Sequence, residues 1–267
     1  MYEQSDARSG SVWSGLVRWS LIGLTEIGVL SRLAIQVFAW AFRPPYRVRQ
    51  FVLAMEFVGV QSIFIVALTA AFVGMVFGLQ FVHGIRQFGA ENQTGAVVGL
   101  ALTRELAPVF AALMISSRAG SAICTEIGSM RVSNQIDALV TMAVNPIQFL
   151  IVPRVLAGLI MVPLLAMIFN IVGAFGAWFV CVKVLALDSG IFLDKITWYV
   201  DTPDLLQGLL KAAVFGFAIT LIACRHGFFA GGGAAGVGRA TTRAVVHSAV
   251  GVLILDYLIT QFITGAG

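Results

Sequence analysis

Charged residues are scarce in this chain, and so are the residue clusters that bind metals or nucleotides. Only 11% of the 267 residues are charged, whereas 59% are hydrophobic; a soluble domain carries about 25% charged residues. This composition excludes an ordinary soluble domain and predicts a helical membrane domain. The formal net charge is +4, but no Lys-rich or Arg-rich tract occurs, so nucleic acid is not an expected ligand.

The short motifs that mark catalytic or cofactor sites are also missing. The phosphate-binding pattern GxxxxGK[ST], the zinc pattern HExxH and the nucleophile pattern GxSxG do not occur. The cysteines, Cys124, Cys181 and Cys224, have no metal-ligand or CxxC spacing and are interpreted as small apolar packing residues. We therefore expect a non-catalytic chain with no metal site and no cofactor of its own.

Five apolar runs are long enough to cross a bilayer, which requires about 20 residues per helix. They cover about residues 57–82, 95–117, 151–182, 205–224 and 245–264. Before them, residues 11–42 combine Trp13 and Trp19 with spaced arginines, which is typical of a helix at the membrane interface. An ordinary surface helix also fits that pattern. The expected fold is all-α: an N-terminal interfacial segment (1–50) with one helix, then a membrane domain (51–267) with five transmembrane helices.

Arginines are concentrated on one side of the predicted spans. Six precede the first span, and residues 118–150 and 225–244 hold five more. Because cytoplasmic loops carry the excess of arginine and lysine, the N terminus is expected in the cytoplasm and the C terminus on the outer, periplasmic side. The glycine-rich segment 225–243 is interpreted as a flexible connector. Five spans cannot form an even inverted repeat, so a symmetric pathway would require a dimer.

The segment SNQIDALVTMAVNP (residues 133–146), between the second and third spans, predicts a short amphipathic helix. Asn134 suits the N-cap position and Asp137 the first turn, and Asn145–Pro146 would end the helix. The apolar stripe consists of Ile136, Leu139, Val140 and Ala143. About three turns of such a helix could insert into a groove of a soluble partner, or fold against the chain's own bundle. The periodicity fits both alternatives.

The second span contains an unusual group of residues near its middle, Arg104, Glu105 and Pro108. Adjacent helical side chains point about 100° apart, so the two charges are not expected to pair with each other. Pro108 has no N–H for the carbonyl of Arg104, which predicts a kink. A charge at mid-span costs at least about 2.5–3.5 kcal/mol, so both should face the protein interior or a wet cavity. The alternatives are a functional cavity and an interhelical ion pair that fixes packing.

Lys211 and Asp256 are charged residues inside the fourth and fifth predicted spans. Their depths agree when both are counted from the same membrane side. A mutual salt bridge with a structural role is the favoured interpretation.

The first span contains both small and aromatic residues. Gly74 and Gly78 lie four residues apart and permit close helix approach. Phe77 and Phe81, beside Gln80, could line an apolar cavity. Phe residues at this spacing are more often ordinary core or lipid-facing groups, so the spacing alone does not define a site.

Three separated segments resemble one known family. AAFVGMVFGLQ (70–80), the stretch from TRELAP to AVNP (103–146) and GRATTRAVVHSAVGVLILDYLIT (238–260) are similar, in this order, to the MlaE/YrbE permease family. The resemblance runs from about residue 50 to the C terminus. The sequence has Ala107 where glycine is commoner in the family, a small change that should leave the site undisturbed.

The resemblance implies a homodimeric membrane subunit of an ABC transporter in the bacterial inner membrane. Such a subunit moves glycerophospholipids between the inner membrane and the periplasm and maintains outer-membrane lipid asymmetry. The implied partners are a cytoplasmic MlaF-like ATPase that binds ATP and Mg²⁺, an MlaB-like STAS-domain protein and a hexameric MlaD-like ring of MCE domains in the periplasm. No cofactor is implied for this chain itself.

The resemblance also implies roles for particular residues. The helix spanning 134–144 would couple to the ATPase, and Arg104 and Glu105 would lie at a lipid cavity near the dimer axis. Phe77, Phe81 and Phe88 would line the acyl-chain region, although position 88 can be tyrosine in relatives. Two other function classes fit the bare sequence: a proton-coupled secondary transporter that titrates Glu105 and Asp256, and a membrane scaffold for a periplasmic ring.

Overall fold

A computed structural model describes residues 28–44 and 47–265. Within these residues the regular structure is entirely helical, which confirms the all-α class. The α-helices are α1 (Gly28–Ala41), α2 (Val48–Val58), α3 (Ile63–Arg86), α4 (Thr94–Ala101), α5 (Ala107–Ile115), α6 (Ser121–Val132), α7 (Gln135–Thr141), α8 (Val152–Trp178), α9 (Ser189–Tyr199), α10 (Thr202–Phe228) and α11 (Gly233–Gly265). Short 3₁₀ or π-helical turns join several of them into longer rods.

Five of these rods are long and apolar enough to cross a membrane, which confirms the five-span prediction. Spans 1 to 5 are Val48–Arg86, Glu91–Val132, Ile147–Val184, Thr202–Phe228 and Gly233–Ile263. Neighbouring contacts give their directions: Gly208 of span 4 meets Thr103 of span 2, and Gly227 meets Cys124, so spans 2 and 4 run parallel. The same comparison makes spans 1 and 3 parallel to each other. The chain is therefore a multi-pass membrane protein.

The spans extend beyond the apolar runs, and the expectation of a flexible connector at 225–243 is wrong. Span 4 continues to Phe228 and span 5 begins at Gly233, so only a short turn with positive φ at Gly232 (84°) and Gly233 (68°) separates them. The polar helix ends are held by tertiary packing, because Gly128 of span 2 lies against Val237 of span 5. Hydropathy does not detect such extensions.

The N-terminal helix α1 lies within the range predicted for an interfacial helix. Residues 11–27, which include Trp13 and Trp19, lie outside the described residues. Leu33 and Val37 of α1 are buried, whereas Ile35 is exposed. The ring centroid of Phe38 lies 5.4 Å from that of Phe217, so α1 packs against span 4.

Span 1 is broken near its start, and an arginine of span 2 holds the break. Val60–Ser62 form a 3₁₀ turn between α2 and α3. Arg118 Nη1 donates to the Phe57 carbonyl, and Nη2 donates to Gln61 Oε1. Its guanidinium also lies 4.9 Å from the centroid of the Phe57 ring. Arg118, expected in a cytoplasmic loop, is thus part of the helical bundle.

Small residues bring spans 1 and 3 together along their length. Val66, Ala70, Gly74, Gly78 and Val82 form the buried stripe of α3. Gly74 lies against the backbone of Gly173, and Gly78 against Ala177. The two helix backbones are so close here that position 74 requires glycine, because a Cβ there would collide with the Gly173 carbonyl oxygen.

Gly74→Ala is therefore expected to lower the free energy of unfolding by about 1–3 kcal/mol, the usual effect of overpacking. Gly84→Ala in the same helix is the matched control, because a Cβ there meets nothing within 4 Å. Denaturant unfolding in detergent micelles measures both variants. Equal stability of the two variants would contradict the packing described for spans 1 and 3.

Candidate functional site

Pro108 alters the hydrogen bonding of span 2 just before it. Leu102–Leu106 form a π-helical turn, after which the α-helix resumes. Pro108 has no N–H, so it cannot bond to the Thr103 carbonyl five residues earlier. That carbonyl oxygen faces Gly208 of span 4, so closely that a Cβ at position 208 would collide with it. The break expected at Pro108 thus takes the form of a π-turn that includes Arg104 and Glu105.

Arg104 is paired with a carboxylate at the beginning of span 4. Its Nε donates to Asp204 Oδ1 at 2.8 Å. The other carboxylate oxygen, Asp204 Oδ2, accepts a hydrogen bond from the backbone N–H of Asp201 at 3.1 Å and so caps the first turn of span 4. Asp204 is buried, whereas 47% of the Arg104 side chain is exposed. The guanidinium therefore lies at the edge of the bundle.

Glu105 is paired with Lys211, which also reaches span 5. Lys211 Nζ donates to Glu105 Oε2 at 2.6 Å and to Thr260 Oγ1 at 2.7 Å. It lies 3.1 Å from Asp256 Oδ1, an ion pair without hydrogen-bond geometry, which leaves that oxygen with no hydrogen-bond partner among the described residues. Lys211 is 0% exposed, but 40% of the Glu105 side chain and 22% of the Asp256 side chain are exposed. The ammonium is therefore buried behind two partly exposed carboxylates.

We call these residues the ion cluster; its charged members are Arg104, Glu105, Asp204, Lys211 and Asp256. It joins spans 2, 4 and 5 within an apolar bundle. With every group ionised, its two cations and three carboxylates carry a net charge of −1. The pairing compensates for the cost of placing charges at this depth. It also leaves Arg104 and Glu105 partly exposed on one side.

The exposed side of the ion cluster consists of Arg104 and Glu105, whose side chains are 47% and 40% exposed. Two cavities, of about 280 and 380 Å³, lie beside the starts of spans 1 and 3, and neither is lined by Arg104 or Glu105. The alternatives weighed for these charges, a cavity and an interhelical ion pair, are thus not exclusive. Both side chains are ion-paired, and both keep an exposed surface.

The aromatic candidates lie on a different span from the ion cluster. The rings of Phe77 and Phe81 contact each other with centroids 5.9 Å apart, and both are half-buried. Gln80 is exposed, and Phe88 lies beyond the end of α3, 78% exposed. The structure therefore brings Phe77 and Phe81 together and leaves Phe88 apart from them.

The helix between spans 2 and 3 exists but is shorter than expected. It covers Gln135–Thr141, and the expected end at Asn145–Pro146 is wrong. Ala143 lies beyond it with a positive φ of 58°, which is incompatible with a helix. The Asn145 side chain accepts from the N–H of Ile147 instead, and so starts span 3.

Asn134 holds the predicted N-cap position, but the prediction that its side chain caps the helix is wrong. Asn134 precedes the helix in a left-handed conformation, φ 58°, and its side chain makes no capping hydrogen bond. Asp137 pairs with Arg131 of span 2 at 2.7 Å. Ile136 is buried and Leu139 half-buried, whereas Val140 is 57% exposed. The stripe is therefore divided: one edge anchors α7 to the bundle and the other is open.

Asp204 and Thr260 were missed by sequence reasoning, although both contact candidate residues. A usable signal existed for Asp204, because an arginine in the middle of a span requires a carboxylate, and Asp204 lies at the start of another span. Thr260 lies one helical turn after Asp256, so both can reach the same partner. Among the described residues no cluster of His, Cys, Asp and Glu is suited to hold a metal ion.

Comparison with known families identifies the domain that contains the ion cluster. The family described as Permease MlaE matches residues 51–262. This range includes all five charged residues of the ion cluster. The chain belongs to the MlaE permease family. This confirms the resemblance seen in the three sequence segments.

Individual proteins that are similar to this chain agree with this assignment. A probable ABC transporter permease protein of Rickettsia prowazekii is 41% identical over 236 residues, covering 88% of this chain and 91% of the relative. The intermembrane phospholipid transport system permease protein MlaE of Haemophilus influenzae is 41% identical over 217 residues, covering 80% and 82%. The chloroplastic protein TRIGALACTOSYLDIACYLGLYCEROL 1 of Arabidopsis thaliana is 37% identical over 214 residues, covering 80% and 61%.

Proposed function

We propose that this chain is the non-catalytic membrane subunit of an ABC transporter in the bacterial inner membrane. It moves glycerophospholipids between that membrane and the periplasm, which maintains outer-membrane lipid asymmetry. Its membership of the MlaE permease family supports this proposal, as do the names of its Rickettsia and Haemophilus relatives. The structural observation that supports it most strongly is that two charged side chains, Arg104 and Glu105, are partly exposed within an apolar helical bundle.

The chemistry of the exposed side suits a phospholipid headgroup. Arg104 uses Nε and Nη2 on Asp204, and its Nη1 makes no hydrogen bond among the described residues. A guanidinium N–H directed to the open side can donate to a phosphate. The second oxygen of Glu105 can meet an amine headgroup or balance Arg104. The lipid tails would occupy the apolar surroundings. Phe77, Gln80 and Phe81 on span 1 and Phe88 just after it are the proposed lining.

A second copy of the chain would cover the exposed side of the ion cluster. Span 5 is the least buried of the spans. Leu253, Tyr257 and Leu258 are exposed on it, next to Asp256 of the ion cluster. A homodimer that pairs these faces would enclose the lipid between two ion clusters. We place the N terminus in the cytoplasm and the C terminus in the periplasm, following the arginine distribution.

The exposed edge of α7 is the proposed contact with the ATPase. Ile136 fixes the helix to the bundle, and Val140 and Met142 are exposed beside it. An MlaF-like subunit would bind ATP and Mg²⁺, and its closure would be transmitted through α7 to the spans. An MlaB-like STAS-domain protein and a hexameric MlaD-like MCE ring complete the proposed assembly. Asn134, Asp137, Leu139 and Ala143 would shape the same contact.

Val140→Asp is expected to reduce recovery of the ATPase with this chain at least tenfold. A new carboxylate in an apolar contact stays desolvated and unpaired, which opposes association. Gln135→Asp is the control, since Gln135 is exposed on the same helix but points about 140° away from Val140. Affinity purification from membranes, with the ATPase quantified per permease chain, measures both. Equal recovery of ATPase with the two variants would remove α7 from the interface.

The function is tested by reconstituting the chain with its ATPase in liposomes and following transfer of a labelled phospholipid. We expect transfer that requires hydrolysable ATP and is independent of a proton gradient. Transfer driven by a proton gradient without ATP would establish the secondary-transporter alternative. A lack of any transfer, with a periplasmic ring still bound, would establish the scaffold alternative.

A further inference from the structure

A groove between α1, α2 and the beginning of span 3 is separate from the ion cluster. Its volume is about 280 Å³, and apolar groups such as Phe51, Val152 and Leu156 form most of its wall. Arg43 and Arg47 also line it, and none of its lining residues is acidic. The groove therefore combines an apolar channel with two cations that face no carboxylate in its wall.

Neither arginine of this groove has an anionic partner among the described residues. Arg47 packs its guanidinium over the Phe149 ring at 4.4 Å, and its buried Nε has no hydrogen-bond partner among residues 28–44 and 47–265. Arg43 lies over the Trp40 ring at 5.4 Å. A buried donor without an acceptor is unfavourable, so an acceptor supplied by a ligand would stabilise this arrangement.

The groove lies at a depth where a membrane supplies such an acceptor. Arg43 and Arg47 directly precede span 1, and Trp40 beside them is typical of the headgroup region. Basic pockets between membrane helices bind anionic lipid headgroups. Phosphate contacts at the arginines would leave an acyl chain to run along the apolar wall, toward the membrane interior.

We propose that this groove binds an anionic phospholipid from the leaflet in which spans 1 and 3 begin. Its phosphate lies between Arg43 and Arg47, and one acyl chain packs against Phe51, Val152 and Leu156. The lipid is a fixed ligand that fastens α1 and α2 to span 3, and it is not the transported molecule.

This site does not depend on the proposed transport function. Gly158 of span 3 packs against Thr220, which is nine residues past Lys211 on span 4. Because a helix rises about 1.5 Å per residue, Thr220 lies about 13 Å along span 4 from Lys211. Spans 3 and 4 run antiparallel, since Gly216 meets Val162. The groove residues of span 3 precede Gly158 and therefore lie farther still from the level of Lys211. The two sites also differ in charge. The only charged residues that line the groove are two arginines, whereas the ion cluster has a net charge of −1.

Quenching of Trp40 fluorescence by brominated lipids tests the proposal in the full chain reconstituted in vesicles. Brominated phosphatidylglycerol and brominated phosphatidylethanolamine are compared at equal mole fraction, and the signal that Trp40→Phe removes belongs to Trp40. We expect stronger quenching of Trp40 by the anionic lipid. Arg43→Ala and Arg47→Ala are each expected to lower this preference about fivefold, the effect of removing one cation near a membrane surface.

Two matched variants separate a built site from general surface charge. Arg49→Ala removes an exposed arginine of α2 that does not line the groove, and should leave the preference unchanged. Leu156→Phe narrows the groove without altering charge, and should reduce quenching by the anionic lipid. Equal quenching by both lipids in the native chain, or equal losses for Arg49→Ala and Arg43→Ala, would overturn the proposal.

Discussion

Lys211→Met is expected to lower the free energy of unfolding by about 3–5 kcal/mol, the usual effect of breaking a buried ion pair. Lys211 is completely buried and contacts Glu105, Asp256 and Thr260 at once. Without the ammonium, two carboxylates lose their common cation, and Thr260 loses its hydrogen-bond donor. The substitution therefore loosens the junction of spans 2, 4 and 5. Unfolding in detergent, monitored by helical circular dichroism, measures the loss.

The matched control is Lys183→Met, which removes an exposed lysine at the end of span 3 and should change stability by less than about 0.5 kcal/mol. Adding Glu105→Gln and Asp256→Asn to Lys211→Met should restore part of the stability, since no unpaired carboxylate then remains. Equal stability of Lys211→Met and Lys183→Met would show that the ammonium does not hold the three spans together.

Glu105→Gln is expected to slow phospholipid transfer at least tenfold and leave the complex assembled. Glutamine keeps the size of the side chain and can still accept a hydrogen bond from Lys211, whose charge remains paired with Asp256. The fold therefore persists, while the ion cluster changes from a net charge of −1 to 0. The partly exposed carboxylate that would meet a lipid amine is lost. ATP-dependent transfer in liposomes, divided by the amount of assembled complex, gives the effect.

Glu126→Gln is the control for this experiment because it neutralises another carboxylate of span 2. Glu126 is 54% exposed and pairs with Arg154 at 2.7 Å, far along the span from Glu105. Transfer by this variant should stay within a factor of two of the native rate. Dissociation of the Glu105→Gln complex would instead assign Glu105 a structural role.

The number and order of the spans could be predicted because each is an apolar run of sufficient length. Their ends could not, since the added turns are polar and are stabilised by contacts between spans. One such contact joins Gly128 of span 2 to Val237 of span 5, and it stabilises helical turns that lie well past the apolar residues. Ala143 is the reverse case: its apolar side chain fits the stripe of α7, but its backbone has left the helix.

The ion cluster could be predicted only in part. Depth alone indicated that Lys211 and Asp256 lie at one level, and the structure places them 3.1 Å apart. The shorter contact of Lys211 with Glu105 depends on how span 2 is rotated, and the apolar faces of that span are too uniform to encode the rotation. The π-turn before Pro108 changes the rotation further. Pairing between spans therefore required the three-dimensional arrangement.

Native mass spectrometry of the complex, extracted in mild detergent from its own membrane, shows whether this chain is the lipid-binding membrane subunit of an ABC transporter. We expect two permease chains with bound phospholipid and ATPase subunits, and a lower lipid occupancy for Glu105→Gln than for Glu126→Gln. A single permease chain found reproducibly without ATPase would refute the proposed function, and equal phospholipid occupancy in the two variants would refute the role of Glu105 in lipid binding.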